Sequence, residues 1–140
     1  MAELRVQIVA PSGIIYDHRA SMVSARAVDG DISILPNHAP IIVPLTIHAV
    51  RIKRISMDTE DWVAVNGGVL EVRNNICSIV ADSAERARDI DIERALAEKQ
   101  RAEKNMQRLS GIKSNQDYKR ASISLHKALN RINVSKNKRV

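Results

Sequence analysis

Polar and apolar residues alternate along the first 83 positions of the chain. The alternation occurs in short runs such as ELRVQIVA, DGDISIL, DWVAVN and ICSIVAD. Turn residues separate these runs at intervals of about ten residues, a spacing typical of consecutive strands. No helical stretch lies between them, so the region is predicted to form an all-β sandwich or barrel rather than a parallel α/β sheet.

From Ile92 onward the apolar residues recur with the period of a helix. One stripe runs through 92–109 and a second through 118–132, with charged residues between the apolar positions. Asp89 or Asp91 can cap the first helix, and the segment SGIKSN at 110–115 separates the two helices. Because so short a connection favours antiparallel neighbours, the sequence predicts a two-helix hairpin after the β-region.

Both apolar stripes of the hairpin are narrow and rich in alanine. Such helices have little apolar area to bury, so a hairpin of this kind is marginal alone and needs a surface to dock on. Undocking is then expected to cost little free energy, which suits a regulatory element. A permanently docked helical appendage is the alternative interpretation of the same pattern.

Charge is distributed unevenly between the two regions. Residues 1–83 contain 7 Lys/Arg and 9 Asp/Glu, whereas residues 84–140 contain 15 Lys/Arg and 7 Asp/Glu, so the net charge of +6 comes from the second region. A basic region predicts an acidic partner, such as phosphate, nucleic acid, a membrane surface or an acidic protein face. Nucleic acid is disfavoured, because acids are interleaved with the bases and aromatic residues for base stacking are few.

The β-region offers little candidate chemistry. None of the histidines, including His38, has a metal-ligand spacing, and no nucleophile has a convincing base nearby, so neither a metal site nor catalysis is expected. Gly67 and Gly68 either form a hairpin turn with Asn66 or lie inside a strand, where they allow another backbone to approach. They are not followed by the residues of a phosphate-binding loop.

The single cysteine and the hydropathy profile restrict the cellular setting. Cys77 is predicted to be a buried strand residue, and a chain with one cysteine cannot form an internal disulfide, in line with a reducing cytosol. No run approaches the roughly 18 apolar residues of a membrane span, and the N-terminus lacks the pattern of an export signal. The chain is therefore expected neither to cross a membrane nor to be exported.

Three segments occur in a distinctive order, DGDISILPNHAP at 29–40, NGGVLEVRNN at 66–75 and AERARDIDIERALAEKQRAE at 84–103. In this order and at these separations, the chain resembles the epsilon subunit of bacterial F-type proton-translocating ATP synthase over nearly its whole length. The resemblance implies an α+β fold in which the strands come first along the chain and the helices follow. An N-terminal β-sandwich of about ten strands is expected at 1–85, and a C-terminal antiparallel helical hairpin at 86–140.

The resemblance also implies a function and a set of partners. The expected function is that of a non-catalytic rotor subunit whose hairpin inhibits ATP hydrolysis when it extends into the catalytic head. The expected partners are the gamma subunit, the c-subunit ring and the alpha and beta subunits, at the cytoplasmic face of the bacterial membrane and peripheral to it. Asp31 and His38 are expected to lie in subunit contacts. The alternative is a purely structural coupling subunit with a fixed hairpin and no nucleotide binding.

Some members of the resembled family bind ATP in the folded hairpin through the motif I/L-D-x-x-R-A and further charged positions. The residues that match are Glu85, Ile90, Asp91, Arg94, Ala95, Arg101 and Arg131. Lys127 stands where those members have arginine, which would replace a bidentate phosphate contact by a point charge. The resemblance therefore implies no required cofactor but ATP as a regulatory ligand, although Asp91 can also serve simply as a helix cap.

Overall fold

The computed structural model describes residues 2–55, 59–111 and 116–137. The strands in these residues are β1 (Leu4–Ala10), β2 (Gly13–Ala27), β3 (Gly30–Ile34), β4 (Ile41–Arg54), β5 (Glu60–Arg73), β6 (Ile76–Ala81) and β7 (Ala84–Arg86). A short 3-10 turn, Ala87–Asp89, leads into α1 (Ile92–Arg108) and α2 (Gln116–Ser135). The predicted order of strands followed by two helices is confirmed, while part of the predicted connection, 112–115, lies outside the described residues.

The sheet closes on itself into the predicted sandwich. Its strands pair in the order β1-β6-β5-β4-β2-β3, and β1 also pairs with β2. The described residues form seven continuous strands instead of about ten, because β2, β4 and β5 are 14 or 15 residues long and change neighbours along their length. The first half of β2 pairs with β1 and the second half with β3, with register shifts against β4 where the strand bends.

Alternate side chains of these strands form one aliphatic core. Its largest fully buried members include Tyr16, Leu4, Ile8, Ile34, Ile52, Leu70 and Ile79. Cys77 lies in this core on β6, as predicted, and burial raises the pKa of its thiol to about 12. A thiol held neutral in this way is unreactive, which fits a structural role.

Gly67 and Gly68 lie inside β5 and not in a hairpin turn. Both have positive φ, and a Cβ added to Gly68 would lie 2.8 Å from the Cα of Ala81 on β6. The interpretation as a close backbone approach is therefore correct here, and the hairpin interpretation is wrong. The turn between β5 and β6 uses Asn74 and Asn75, both with positive φ.

The hairpin rests on the sandwich through α2, which packs against β4 and β5, while α1 packs mainly on α2. The buried side chains of the two helices are small, namely Ala95, Ala102, Ala121, Ala128, Asn130 and Val134. Val134 joins Ala49, Ala64 and Ala87 in a second, smaller apolar cluster under the end of α2. The docked surface is therefore narrow, as the alanine-rich stripes predict.

Candidate functional site

Two adjoining cavities lie along the hairpin. The proximal cavity, of about 260 Å³, is lined by Glu85 and Asp89 ahead of α1, by Asp91, Arg94, Ala95 and Glu98 at the start of α1, and by Arg131 of α2. The distal cavity, of about 470 Å³, lies between the remaining parts of the two helices. Its charged lining residues are Glu98, Arg101, Arg108, Asp117, Arg120, Lys127 and Arg131. Glu98 and Arg131 thus border both cavities.

A chain of ion pairs joins strand β7 to both helices at this border. Arg131 donates from Nε to Glu85 Oε1 at 2.7 Å and from Nη1 to Glu98 Oε2 at 3.4 Å. Glu98 Oε1 also accepts from Arg94 Nε at 3.2 Å. The Arg131 side chain is 20% exposed and that of Arg94 is 78% exposed. Water screens Arg94 far more, so Arg131 is the cation whose pairing matters for docking.

The start of α1 shows how the local sequence positions the proximal cavity. Asp91 caps the helix, its Oδ1 accepting a hydrogen bond from the backbone N–H of Arg94 at 3.2 Å. Of the two predicted caps, Asp91 is therefore the one that the structure uses. Ala95, one turn later, is buried against α2, so the cap and the alanine together fix the face of α1 that borders the cavity.

Seven of the eight residues of the predicted nucleotide site border these two cavities. Glu85, Asp91, Arg94 and Ala95 line the proximal one, Arg101 and Lys127 line the distal one, and Arg131 lines both. Ile90 lines neither, because its side chain packs against the second apolar cluster. It faces an apolar groove shared with Ile92, Leu96, Leu129 and Ile132.

The two cavities carry opposite charge. Four carboxylates and two guanidinium groups line the proximal cavity, whereas five cationic side chains and two carboxylates line the distal one. A phosphate chain is therefore attracted to the distal cavity, and a group with N–H or O–H donors, such as a base or a ribose, to the proximal one. An elongated ligand with a polar head and an anionic tail fits this arrangement.

Five charged residues that line the cavities were not part of the predicted nucleotide site, namely Asp89, Glu98, Arg108, Asp117 and Arg120. Glu98 accepts hydrogen bonds from both Arg94 and Arg131, and only its spacing of four from Arg94 marks it in the sequence. Because such i,i+4 pairs are common on exposed helix faces, the spacing alone does not indicate a site. The contact with α2 is what distinguishes Glu98, and it depends on the tertiary fold.

Asp31 and His38, the predicted subunit-contact residues, lie at opposite ends of β3. Asp31 is exposed and its Oδ1 accepts from Arg26 Nε at 3.0 Å, which lowers the pKa of the carboxyl group. His38 lies in the loop after β3, with Nδ1 2.6 Å from the carbonyl oxygen of Ala39. The backbone N–H of Asn37 donates to Asn75 Oδ1 at 2.8 Å, which ties this loop to the β5–β6 turn. The structure does not bring Asp31 and His38 together.

A buried polar cluster lies next to the strand that leads into the hairpin. Asp61 Oδ2 accepts from the Tyr16 hydroxyl and from Arg54 Nε, each at 2.6 Å, and Arg54 Nη2 lies 3.2 Å from His18 Nε2. The guanidinium of Arg86, on β7, lies 5.2 Å from the centroid of the Tyr16 ring. Burial, together with Arg54 and Arg86, lowers the pKa of His18 below its ordinary value of 6.5.

The fold and its charged cleft define a class of protein, a closed β-sandwich that carries a docked two-helix hairpin. Two family models match the chain, the β-sandwich domain of the ATP synthase delta/epsilon chain at residues 3–87 and its long alpha-helix domain at residues 88–136. The chain therefore belongs to the ATP synthase delta/epsilon family, which confirms the family expected from the three sequence segments.

Two solved structures with a similar fold are chains of mitochondrial ATP synthases. A chain of the Euglena gracilis OSCP/F1/c-ring assembly in rotational state 1 has a TM-score of 0.73 at 15% identity, with coverage of 90% of this chain and 77% of that chain. A chain of the Tetrahymena thermophila central stalk/c-ring assembly has a TM-score of 0.52 at 16% identity, with coverage of 65% and 68%. At these identities the likeness concerns the fold alone.

The helices were also compared with the dimensions of a bilayer. Across residues 2–55, 59–111 and 116–137, no helix combines the length and the apolar character needed to span a membrane.

Proposed function

We propose that the chain is a non-catalytic rotor subunit of a proton-translocating ATP synthase, and that ATP stabilises its hairpin in the docked position. Membership of the delta/epsilon family supports the first part of this proposal. The observation that carries the second part is the Arg131 junction, where one cation of α2 meets carboxylates of β7 and α1 inside a cleft with separate acidic and basic halves.

An exposed apolar row on the sandwich supports binding to the central stalk. Val9 pairs with Val80, Val80 with Val69, and Val69 with Pro44, across the neighbouring strands β1, β6, β5 and β4. Directly opposed residues project from the same face of a sheet, and all four are exposed. A contiguous apolar face of this kind is suited to a protein partner, and the gamma shaft of the central stalk is the partner that the family suggests.

The remaining partners follow from the position of a stalk subunit. Asp31, near the start of β3, and His38, in the loop after β3, are proposed to contact the c-subunit ring. The alpha and beta subunits would be reached by the hairpin when it leaves the sandwich and inhibits ATP hydrolysis. The subunit would then be peripheral, at the cytoplasmic face of the bacterial membrane.

ATP would hold the hairpin down by connecting its two helices. The nucleoside is proposed to lie in the proximal cavity beside Asp91, with the phosphates reaching Arg131, Arg101 and Lys127. The phosphates would then replace Glu85 and Glu98 as partners of Arg131, and the ligand would contact α1 and α2 together. A ligand that binds only the docked state favours that state in proportion to its concentration above Kd.

Calorimetric titration of the full chain with ATP tests this proposal. The unaltered chain is expected to bind ATP, and Arg101→Gln is expected to bind about tenfold more weakly, because it removes a charge-assisted contact to phosphate. The Arg101 side chain is exposed, so the substitution leaves the fold intact. Lys119→Gln, an exposed cation of α2 that lines neither cavity, serves as the matched control. Absence of binding at millimolar ATP would reject the nucleotide-sensing role.

A crosslink tests the inhibitory movement of the hairpin. Asn130 Nδ2 lies 3.3 Å from Asn66 Oδ1, and Asn66 Nδ2 lies 2.9 Å from Ser83 Oγ. Cysteines placed at Ser83 and Asn130 in a Cys77→Ala background can therefore be joined by a short bismaleimide. Once assembled into the ATP synthase, the crosslinked chain is expected to release hydrolysis from inhibition, whereas the single-cysteine chains treated alike are not. Equal hydrolysis in all three would favour the alternative, a fixed hairpin with a purely structural role.

A further inference from the structure

The cationic residues of the distal cavity form two rungs across the hairpin. Arg101 and Arg108 of α1 are seven residues apart, as are Lys127 and Arg120 of α2, and all four line the same cavity. Seven residues are two helical turns, so the members of each pair lie on one helix face and about 10.5 Å apart along the axis. We call Arg101 with Lys127 the near rung and Arg108 with Arg120 the far rung.

The antiparallel register places the residues of each rung opposite one another. Arg131 contacts Glu98, and because the helices are antiparallel, residues that follow Glu98 along α1 face residues that precede Arg131 along α2. Arg101 lies three residues after Glu98, and Lys127 lies four residues before Arg131. Arg108 and Arg120 each lie seven residues further from this contact. The far rung therefore continues the line from the Arg131 junction through the near rung.

The charges of the two rungs are poorly compensated within the part of the chain that the structure describes. Arg101, Arg108 and Lys127 form no ion pair there, and Arg120 approaches Asp117 only at 3.8 Å. The other lining residues include Ala102 and Ala121, which are small and leave the space between the rungs open. The cations that line the distal cavity outnumber its carboxylates five to two, which produces a local positive potential that attracts an anion.

A triphosphate does not use the whole of this line. If its phosphates reach Arg131 and the near rung, the far rung lies two helical turns further on, a spacing longer than the distance between the first and last phosphorus atoms of a triphosphate. Guanidinium groups match phosphate oxygens through paired N–H donors, and the far rung supplies two of them. This geometry favours a longer chain of linked phosphates.

We propose that Arg108 and Arg120 form a second phosphate subsite, so that the cleft binds a linear phosphate chain that spans both rungs more tightly than a triphosphate. Binding of a nucleoside at one end of such a ligand depends on the proposed function, whereas the far rung contacts phosphate alone. The ligand class is a linear polyphosphate, either attached to a nucleoside or free, and the same contacts serve both forms.

Calorimetry on the full chain at constant ionic strength tests this subsite with three probes, ATP, inorganic tripolyphosphate and a linear inorganic polyphosphate of about ten phosphates, which is long enough to span the two helical turns between the rungs. The long polyphosphate is expected to bind about tenfold more tightly than tripolyphosphate, the effect of one further charge-assisted contact. The double variant Arg108→Gln/Arg120→Gln is expected to lose this preference and to keep its affinity for ATP. Both residues are exposed, so the variant keeps its fold, which thermal unfolding can verify.

The double variant Lys104→Gln/Lys119→Gln is the matched control, since it removes the same charge from the same two helices without touching the cavity. It is expected to keep the preference for the long polyphosphate. Equal affinity of the unaltered chain for tripolyphosphate and the long polyphosphate would overturn the subsite while leaving ATP sensing intact, and so would an equal loss of preference in both double variants. Binding of the long polyphosphate that depends on Arg108 and Arg120, with no binding of ATP, would support the subsite and reject nucleotide sensing.

Discussion

The sandwich and the hairpin are stabilised by different kinds of contact. The sandwich buries large aliphatic side chains such as Ile8, Ile52 and Ile79 completely, whereas the contact between the two helices consists of alanines. Stabilisation by burial scales with the apolar area removed from water, so the sandwich obtains far more of it per residue. The hairpin therefore depends on a few specific contacts, at Arg131, Asn130 and Val134, and its docking can respond to a ligand.

The substitution Ile79→Ala, in the core of the sandwich, is expected to cause the largest loss of stability. Ile79 is fully buried, so removal of its side chain leaves a cavity and costs about 3 kcal/mol of unfolding free energy. Urea denaturation followed by circular dichroism measures this change. Ile123→Ala, at an exposed position of α2, is the control and should leave the midpoint almost unchanged. Similar losses in both would contradict the contrast between the two regions.

The substitution Val134→Ala is expected to loosen the hairpin while the sandwich stays folded. Val134 is the largest apolar residue of the helices that is fully buried, and its truncation should cost about 1.5 kcal/mol of docking free energy. Hydrogen exchange measured by mass spectrometry should show faster exchange in α1 and α2 and unchanged exchange in β1 and β6. If exchange rose equally in all elements, the hairpin and the sandwich would form a single cooperative unit.

A smaller effect is expected at the join between the two regions, where His18 lies in the polar cluster beside Arg54 and Arg86. Its pKa in the folded state is below its unfolded value of 6.5, so the unfolded state binds more protons between these two values. Stability should therefore fall as the pH drops through this window and be fully present above pH 6.5. Asp17 and Asp31, whose pKa values are also lowered, act in the same direction but in more acidic solution.

Comparison of the unaltered chain with His18→Gln separates these contributions. Thermal midpoints are measured at about pH 5 and at about pH 7.5, on either side of the ordinary pKa of histidine. The unaltered chain should lose more stability at the lower pH than the variant does. An identical pH dependence in both would mean that His18 is solvated in the folded state as it is in the unfolded one.

Periodicity was sufficient to predict the class of fold and the order of its elements. The count of about ten strands followed from the resemblance, and it differs from the seven described strands because β2, β4 and β5 are 14 or 15 residues long and pair with different neighbours along their length. Periodicity also could not show which apolar residues of each helical stripe are buried by the fold. Ile92, Leu96 and Leu129 belong to the predicted stripes, yet they are partly exposed along an outer groove, and the alanines make the close contact.

The sequence motif identified most of the residues that line the cleft. It did not show how they are organised, because that depends on contacts between residues far apart in the sequence. Arg131 is 46 residues from Glu85 in the chain and 33 from Glu98, and no local pattern connects them. Ile90 belongs to the same motif but lies on the other side of the hairpin. Its position shows that a sequence motif can combine residues that line a cavity with residues that support the local fold.

The alanine contact between the helices also affects how quickly the hairpin can move. Alanine has no rotamers, so separation of α1 from α2 requires no side chain to turn past another, and little interdigitation opposes the movement. The slow step should then be the release of Val134 and of the Asn130 hydrogen bonds at the sandwich. We expect exchange between docked and undocked forms on the microsecond to millisecond timescale typical of collective motions, so that the response time of the rotor is set by ligand departure and not by the helices themselves.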